Sequence, residues 1–190
     1  MKKLITFCIT VLLSGTLLFG QDMKNEITVS YSQATLPQTA YLLGGVFGTI
    51  FTLGHFQFDN TLFLGALGVE YAHNVNDWFS YGGVATIDYM TSDAYTVDSD
   101  GNRTDNGKFN LGWASLMPIV KFTWLNHPKF DMYSKLGAGV GLAFNDGEGV
   151  SFSAQVSPVC MQFGGGKIRG VLEFGYGMQG IATVGIKRMF

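Results

Sequence analysis

Eight charged side chains sit inside otherwise alternating apolar runs: Glu26, Glu70, Asp88, Lys121, Lys135, Arg169, Glu173 and Lys187. Successive residues of a strand point to opposite faces, so these charges oppose the face that carries Val, Leu, Ile and Phe. Acids and bases balance. Charges buried on an inner face are tolerated only when paired. The chemistry they predict is an ion-pair and hydrogen-bond cluster filling the interior of a closed sheet. Most lie within a few residues of short turns, which assigns them to one half of that interior. Glu173 and Lys187 fall as diagonal neighbours across the last hairpin. The competing chemistry is an ion-conducting path, but open aqueous channels belong to barrels of about 16 strands. The structural cluster is the expectation.

Other reactive residue types are sparse. The histidines are His55, His73 and His127. His127 falls in a short turn, His73 at a strand end, and His55 near Asp59 in a long insert. No GxSxG, HExxH, phosphate-binding loop or paired CxxC is present, so no catalytic residue, metal ligand or cofactor site is expected. Asp98 to Asn102 reads DSDGN, like the start of a calcium loop. Arg103 then stands where the sharp-turn Gly belongs and Phe109 where the bidentate Glu belongs. A solvated hairpin loop is the expectation there. Cys8 lies in the apolar leader, which leaves Cys160 alone and excludes an internal disulfide. Cys160 reads as a small apolar residue on a strand face.

The elements that must position the charges are strands. In the final stretch, Gly180 to Phe190, Ala182, Val184, Ile186 and Phe190 share one face, and Thr183, Gly185 and Lys187 the other. A last strand of this kind closes a barrel by pairing with the first, leaving no open edge. Alternating runs at Glu26 to Ser32, Thr61 to His73, Trp78 to Tyr95, Lys108 to Leu125, Phe130 to Phe144, Ser151 to Phe163 and Ile168 to Met178 precede it. Phe63, Leu67, Val69, Leu136, Leu172 and Phe174 are assigned to the outer face. The turns NVND, NHPK and GGGK fall on one side and are short. The opposite side receives the insert at 34–60, the loop at 96–107, the NDGEG loop and a tight reversal near Gln179. Within Lys108 to Leu125, Leu111 and Trp113 share one parity while Leu116, Val120, Phe122 and Trp124 share the other. A bulge near Ser115 or Pro118 would reconcile them. The uncharged stretch Leu36 to Leu53, interrupted by Pro37, Gly44, Gly45 and Gly48, reads as a short helix or irregular insert that either covers the barrel mouth or lies in the lipid interface. The predicted fold class is all-β: an eight-stranded antiparallel up-and-down transmembrane β-barrel with that insert after the first strand.

Composition agrees. Charged residues are 14% of the chain and hydrophobic residues 47%. A soluble domain is about a quarter charged, so much of the outer surface is expected to face something other than water. The net charge of −2 and the scattered Lys and Arg exclude a nucleic-acid footprint. Residues 1–20 read as a secretory signal, with Lys2 and Lys3 before the apolar run Leu4 to Leu18 and Gly20 before Gln21. Residues 21–190 then form one domain.

The signal, the run LGVEYAHNVNDWFSYGGV, the Gly-rich alternating strands and the terminal Phe190 resemble the small outer-membrane β-barrel proteins of Gram-negative, Bacteroidetes-like bacteria. The family often carries an aromatic residue two positions before the terminal Phe; here it is Arg188. The resemblance implies residence in the outer membrane, contact with its lipid, and insertion by the barrel assembly machinery with Phe190 as the assembly signal. It implies a non-enzymatic role, structural or in surface interaction, and no particular substrate. Two other readings stand beside it. A lipid-modifying barrel enzyme would use His55 near the outer rim. A soluble lipocalin-like barrel would place apolar residues inside and polar ones outside.

Overall fold

The computed structural model describes residues 24–51, 56–97 and 102–190. The leader at 1–20, His55 and the Asp98–Gly101 part of the loop lie outside those residues. Strand alternation sets the fold. In β1 (Asn25–Gln33), Glu26, Thr28, Ser30 and Ser32 are buried while Ile27, Val29 and Tyr31 face out. The same two-faced pattern continues through β2 (Phe56–Asn74), β3 (Phe79–Val97), β4 (Arg103–His127), β5 (Phe130–Asn145), β6 (Gly149–Phe163), β7 (Ile168–Gly177) and β8 (Ala182–Met189). All neighbours are antiparallel, and β8 pairs with β1 to close an eight-stranded barrel. Val29 lies opposite Ile186, and Phe190 exchanges backbone hydrogen bonds with Asn25 at 2.9 and 3.0 Å. The last residue of the chain is thus part of the seam.

A helix, α1 (Leu36–Phe51), follows β1. Thr35 caps it: its hydroxyl accepts the Gln38 N–H, and the Gln38 side-chain oxygen accepts the Ala34 N–H at 3.0 Å. This is a variant of the reciprocal Thr-x-x-Gln capping box. The insert is therefore helical in its first part, and the chain re-enters strand conformation at Phe56.

The barrel wall is uneven. The short turns at 75–78, 128–129 and 164–167 close one end at a common level. At the other end β2, β3 and β4 run far beyond the last residue of β1. Ser32 pairs with Ala66, and β2 then continues to Phe56 with no β1 partner. On the far side Gln155 pairs with Gly177, and β6 continues to Gly149 beyond the end of β7. The rim is therefore low along β7, β8 and β1 and high along β2 to β4. The low rim turns at Gly180, whose φ of 85° suits glycine; a Cβ there would lie 2.3 Å from the Gln33 carbonyl oxygen.

Two expectations are corrected. The pairing of β4 with β5 is in continuous register through the Ser115–Pro118 region and shifts only between Thr123 and Leu125. No bulge reconciles Leu111 and Trp113 with the outer face. Trp113 instead shares the inward parity of Ser115, Met117, Ile119 and Lys121, and packs on the buried cluster of Val84, Met117, Ile119 and Met178. Phe63 does not share the outer face with Leu67. The β2–β3 register shifts between Phe63 and Ala66, where Gly65 has a φ of 78°, and Phe63 meets the Tyr41 ring of α1 edge-on at 6.4 Å. Of the two strand prolines, Pro158 sits within the β6 register shift, where a missing N–H costs the ladder little.

Candidate functional site

The inner face of the short-turn half carries a ladder of charges. Its parts come from six strands: Glu26 on β1, Glu70 on β2, Lys121 on β4, Tyr133 and Lys135 on β5, Glu173 on β7 and Lys187 on β8. Each points inward because its neighbours along the strand carry the outer apolar face. Lys187 contacts Glu26 at 2.9 Å, Glu26 contacts Lys121, and Lys121 contacts Glu70. Glu70 contacts Lys135 at 3.0 Å, and Lys135 contacts Glu173. The Tyr133 hydroxyl donates to Glu173 at 2.6 Å and ends the chain. The Tyr133 ring lies 5.3 Å from the Lys121 ammonium and 5.1 Å from that of Lys187, within cation–π range.

Three ammonium groups alternate with three carboxylates, and each of the six is at most 3% exposed. Alternation is the arrangement that lets every buried charge touch an opposite one, which offsets the cost of taking it out of water. Glu173 and Lys187 do not meet across the last hairpin: Glu173 reaches to Lys135, and Lys187 to Glu26. The ladder crosses the lumen instead of following one hairpin.

Arg169 and Asp88 stand apart from the ladder. Arg169 pairs with Asp131, which also accepts from the Gln162 side chain and, at 3.0 Å, from the His127 backbone N–H. This group lines a cavity of about 440 Å³ at the short-turn mouth, with Glu26, Lys121, Tyr133 and Lys187 also on its wall. Asp131 and Tyr133 were missed by sequence reasoning. Their signal was parity, because both alternate with Lys135 and oppose Met132 and Leu136.

Asp88 lies at the opposite end, beneath α1. The Thr35 hydroxyl donates to one of its oxygens at 2.5 Å and the Gln38 side-chain amide to the other at 2.8 Å. A carboxylate under a helix N-terminus is also favoured by the helix dipole. Asp88 thus latches α1 into the barrel. The inner face near it is mixed: the small apolar cluster of Val84, Met117, Ile119 and Met178, with Leu36 and Trp113 packed on it, adjoins buried Thr86 and Ser115, whose hydroxyls lie 2.6 Å apart. Cys160 is buried inside the barrel wall, and its thiol is free.

The outer face is the converse. Leu67, Val69, Leu136, Val140, Val184 and Ile186 are all exposed, as are Phe174 and Tyr176. Aromatic rings gather near the short-turn end: Trp78 lies 5.6 Å from Phe79 and 6.3 Å from Phe122, and Phe130 lies 5.1 Å from Phe163. Polar inside and apolar outside is the reverse of a soluble ligand-binding barrel.

No family model matches the chain, and no curated protein matches it. Among solved structures, the chain is similar to the backbone structure of the Yersinia pestis outer membrane protein Ail in a phospholipid bilayer nanodisc. The identity is 16% and the TM-score 0.43, over 88% of this chain and 99% of that one.

Proposed function

We propose that this protein is a non-enzymatic barrel spanning the outer membrane of a Gram-negative bacterium. In this reading it is held rigid by its internal ion ladder and presents its high β2–β4 wall at the surface as a contact face. The observation that carries the reading is the inverted polarity: six charges sealed in the lumen and a continuous apolar exterior. A folded protein in water does not leave an apolar belt of that size uncovered. Lipid covers it at no such cost. The aromatic cluster near the short turns fits the interfacial girdle of such barrels. The short turns then face the periplasm and the high wall faces outward. Phe190 within the closing seam suits a role as the assembly signal read by the barrel assembly machinery. The bacterial group, Bacteroidetes-like, and the signal at 1–20 rest on the sequence resemblance.

The test is cell fractionation with a folding gel and planar-bilayer recording on the same preparation. The expected result is an outer-membrane species that migrates faster unheated than boiled and gives no large, steady conductance. A soluble periplasmic species refutes the membrane assignment. A large steady current refutes the sealed lumen.

A further inference from the structure

We infer that α1 completes the lipid-facing wall above the low rim, with its exposed side set against the acyl chains and headgroup boundary of the outer leaflet. The inference rests on the membrane assignment proposed above.

The low rim is shortest at β8. β8 has 8 residues and β1 has 9, whereas a spanning strand needs about 9–11. At about 3.3 Å per residue β8 is roughly 26 Å long. With a tilt of about 40° it rises only ~20 Å, against an apolar band of ~25 Å in barrels of this type. β7, with 10 residues, rises about 25 Å by the same arithmetic, so the shortfall of about 5 Å is confined to β8.

α1 starts three residues after β1, at the low rim. Its Tyr41 side leans on the high wall: the ring stacks on Phe109 of β4 at 5.9 Å and meets Phe63 of β2. Thr39, Leu42, Leu43, Val46 and Phe47 lie on the other side of the helix, by its turn of about 100° per residue. Thr39 shows where that side points, because its hydroxyl is 3.1 Å from the Tyr176 hydroxyl at the top of β7 on the outer face. Leu42, Leu43, Val46 and Phe47 are each at least half exposed. Tyr176, Ile181 and Val184 of the low-rim wall are likewise apolar and exposed. No residue of α1 is charged, so nothing on it calls for water or an ionic partner. The Asp88 latch fixes the rotation of the helix, which makes its exposed side a fixed part of the wall.

The experiment uses nitroxide labels in lipid bilayers on the full chain carrying Cys8→Ser and Cys160→Ser. Labels go singly at Leu43→Cys on α1, Ile186→Cys on the barrel belt and Glu148→Cys on the β5–β6 loop. Collision with oxygen, which partitions into lipid, is compared with collision with a water-soluble nickel chelate. The expected oxygen-to-nickel ratio at 43 matches that at 186 and exceeds that at 148 several-fold. A ratio at 43 equal to that at 148, with 186 still lipid-like, overturns the inference and leaves the barrel reading standing. A label at 43 shielded from both reagents also overturns it, in favour of a second copy or another protein on this face. An aqueous ratio at 186 overturns the membrane assignment itself.

Discussion

Lys135 is the rung of the ladder whose loss is expected to be most damaging. It is fully buried and bridges Glu70 and Glu173. At the 3.0 Å separation from Glu70, an effective dielectric of about 20 gives a gross attraction of ~5 kcal/mol. Desolvation offsets much of that while the pair is intact. Removing one partner removes the attraction and leaves the desolvation. Lys135→Met is therefore expected to destabilise the barrel by ~3–5 kcal/mol. The penalty is unevenly shared: Glu70 keeps Lys121, whereas Glu173 keeps only the Tyr133 hydroxyl. Adding Glu173→Gln to Lys135→Met restores equal numbers of acids and bases in the ladder. The double variant is expected to be more stable than Lys135→Met alone, with a coupling of ~2 kcal/mol or more between the sites. The assay is urea unfolding in lipid vesicles, followed by tryptophan fluorescence and by the folding gel. If Lys135→Met costs less than ~1 kcal/mol, or the two substitutions simply add, these charges are not coupled as the geometry requires.

Three other perturbations test the remaining parts. Asp88→Ala with Thr35→Val removes the latch and the cap, and is expected to speed proteolysis near α1 while the folding-gel shift persists; loss of the cap alone is worth ~1 kcal/mol. Arginine placed on the belt at Val184, facing the hydrocarbon, is expected to cost ~2–4 kcal/mol in bilayers, and at Val150, near the rim, ~0–1 kcal/mol. Equal costs at the two sites by urea titration would contradict the assigned depth. Cys160, free and fully buried, is expected to react with a thiol reagent only after urea unfolding, and rapid labelling of the folded protein would show an open lumen.

The barrel was readable wherever a strand is buried on one face only. Ile27, Val29 and Tyr31 against Glu26, Thr28 and Ser30 leave a single register, because a one-residue slip would turn the charges to the outer face. Reading failed where the inner face itself becomes apolar. Trp113 does not fit the outer parity because it packs inward on the cluster of Val84, Met117, Ile119 and Met178, as Leu36 of the helix also does. Phe63 was misassigned because the Gly65 irregularity resets the alternation, and one glycine among many gives no warning of that. The helix start was available in Thr35-Leu36-Pro37-Gln38, a local capping pattern with a known consequence. Which carboxylate meets which ammonium could not be read from the chain. The pairing of Lys121 with Glu26 joins strands that are not neighbours in the sheet, so no hairpin rule predicts it.

The two halves of the lumen are closed by different physics, and that difference bears on rigidity. A hydrophobic cluster such as Val84, Met117, Ile119 and Met178 with Leu36 and Trp113 on it tolerates small shifts, because dispersion contacts are weakly directional. An ion ladder does not, since moving one ammonium group leaves a neighbouring carboxylate unpaired in a site shut off from water. The ladder joins β1, β2, β4, β5, β7 and β8, so a change in barrel shape at the short-turn end would break several contacts together. The opposite end is held by the latch at Asp88, by ring contacts to Tyr41 and by hydrogen bonds between neutral groups such as Thr86 with Ser115 and the Gln179 N–H with the Gln155 side chain, which are weaker than ion pairs. Any motion is therefore expected in α1 and the high β2–β4 wall, over a base fixed by charge.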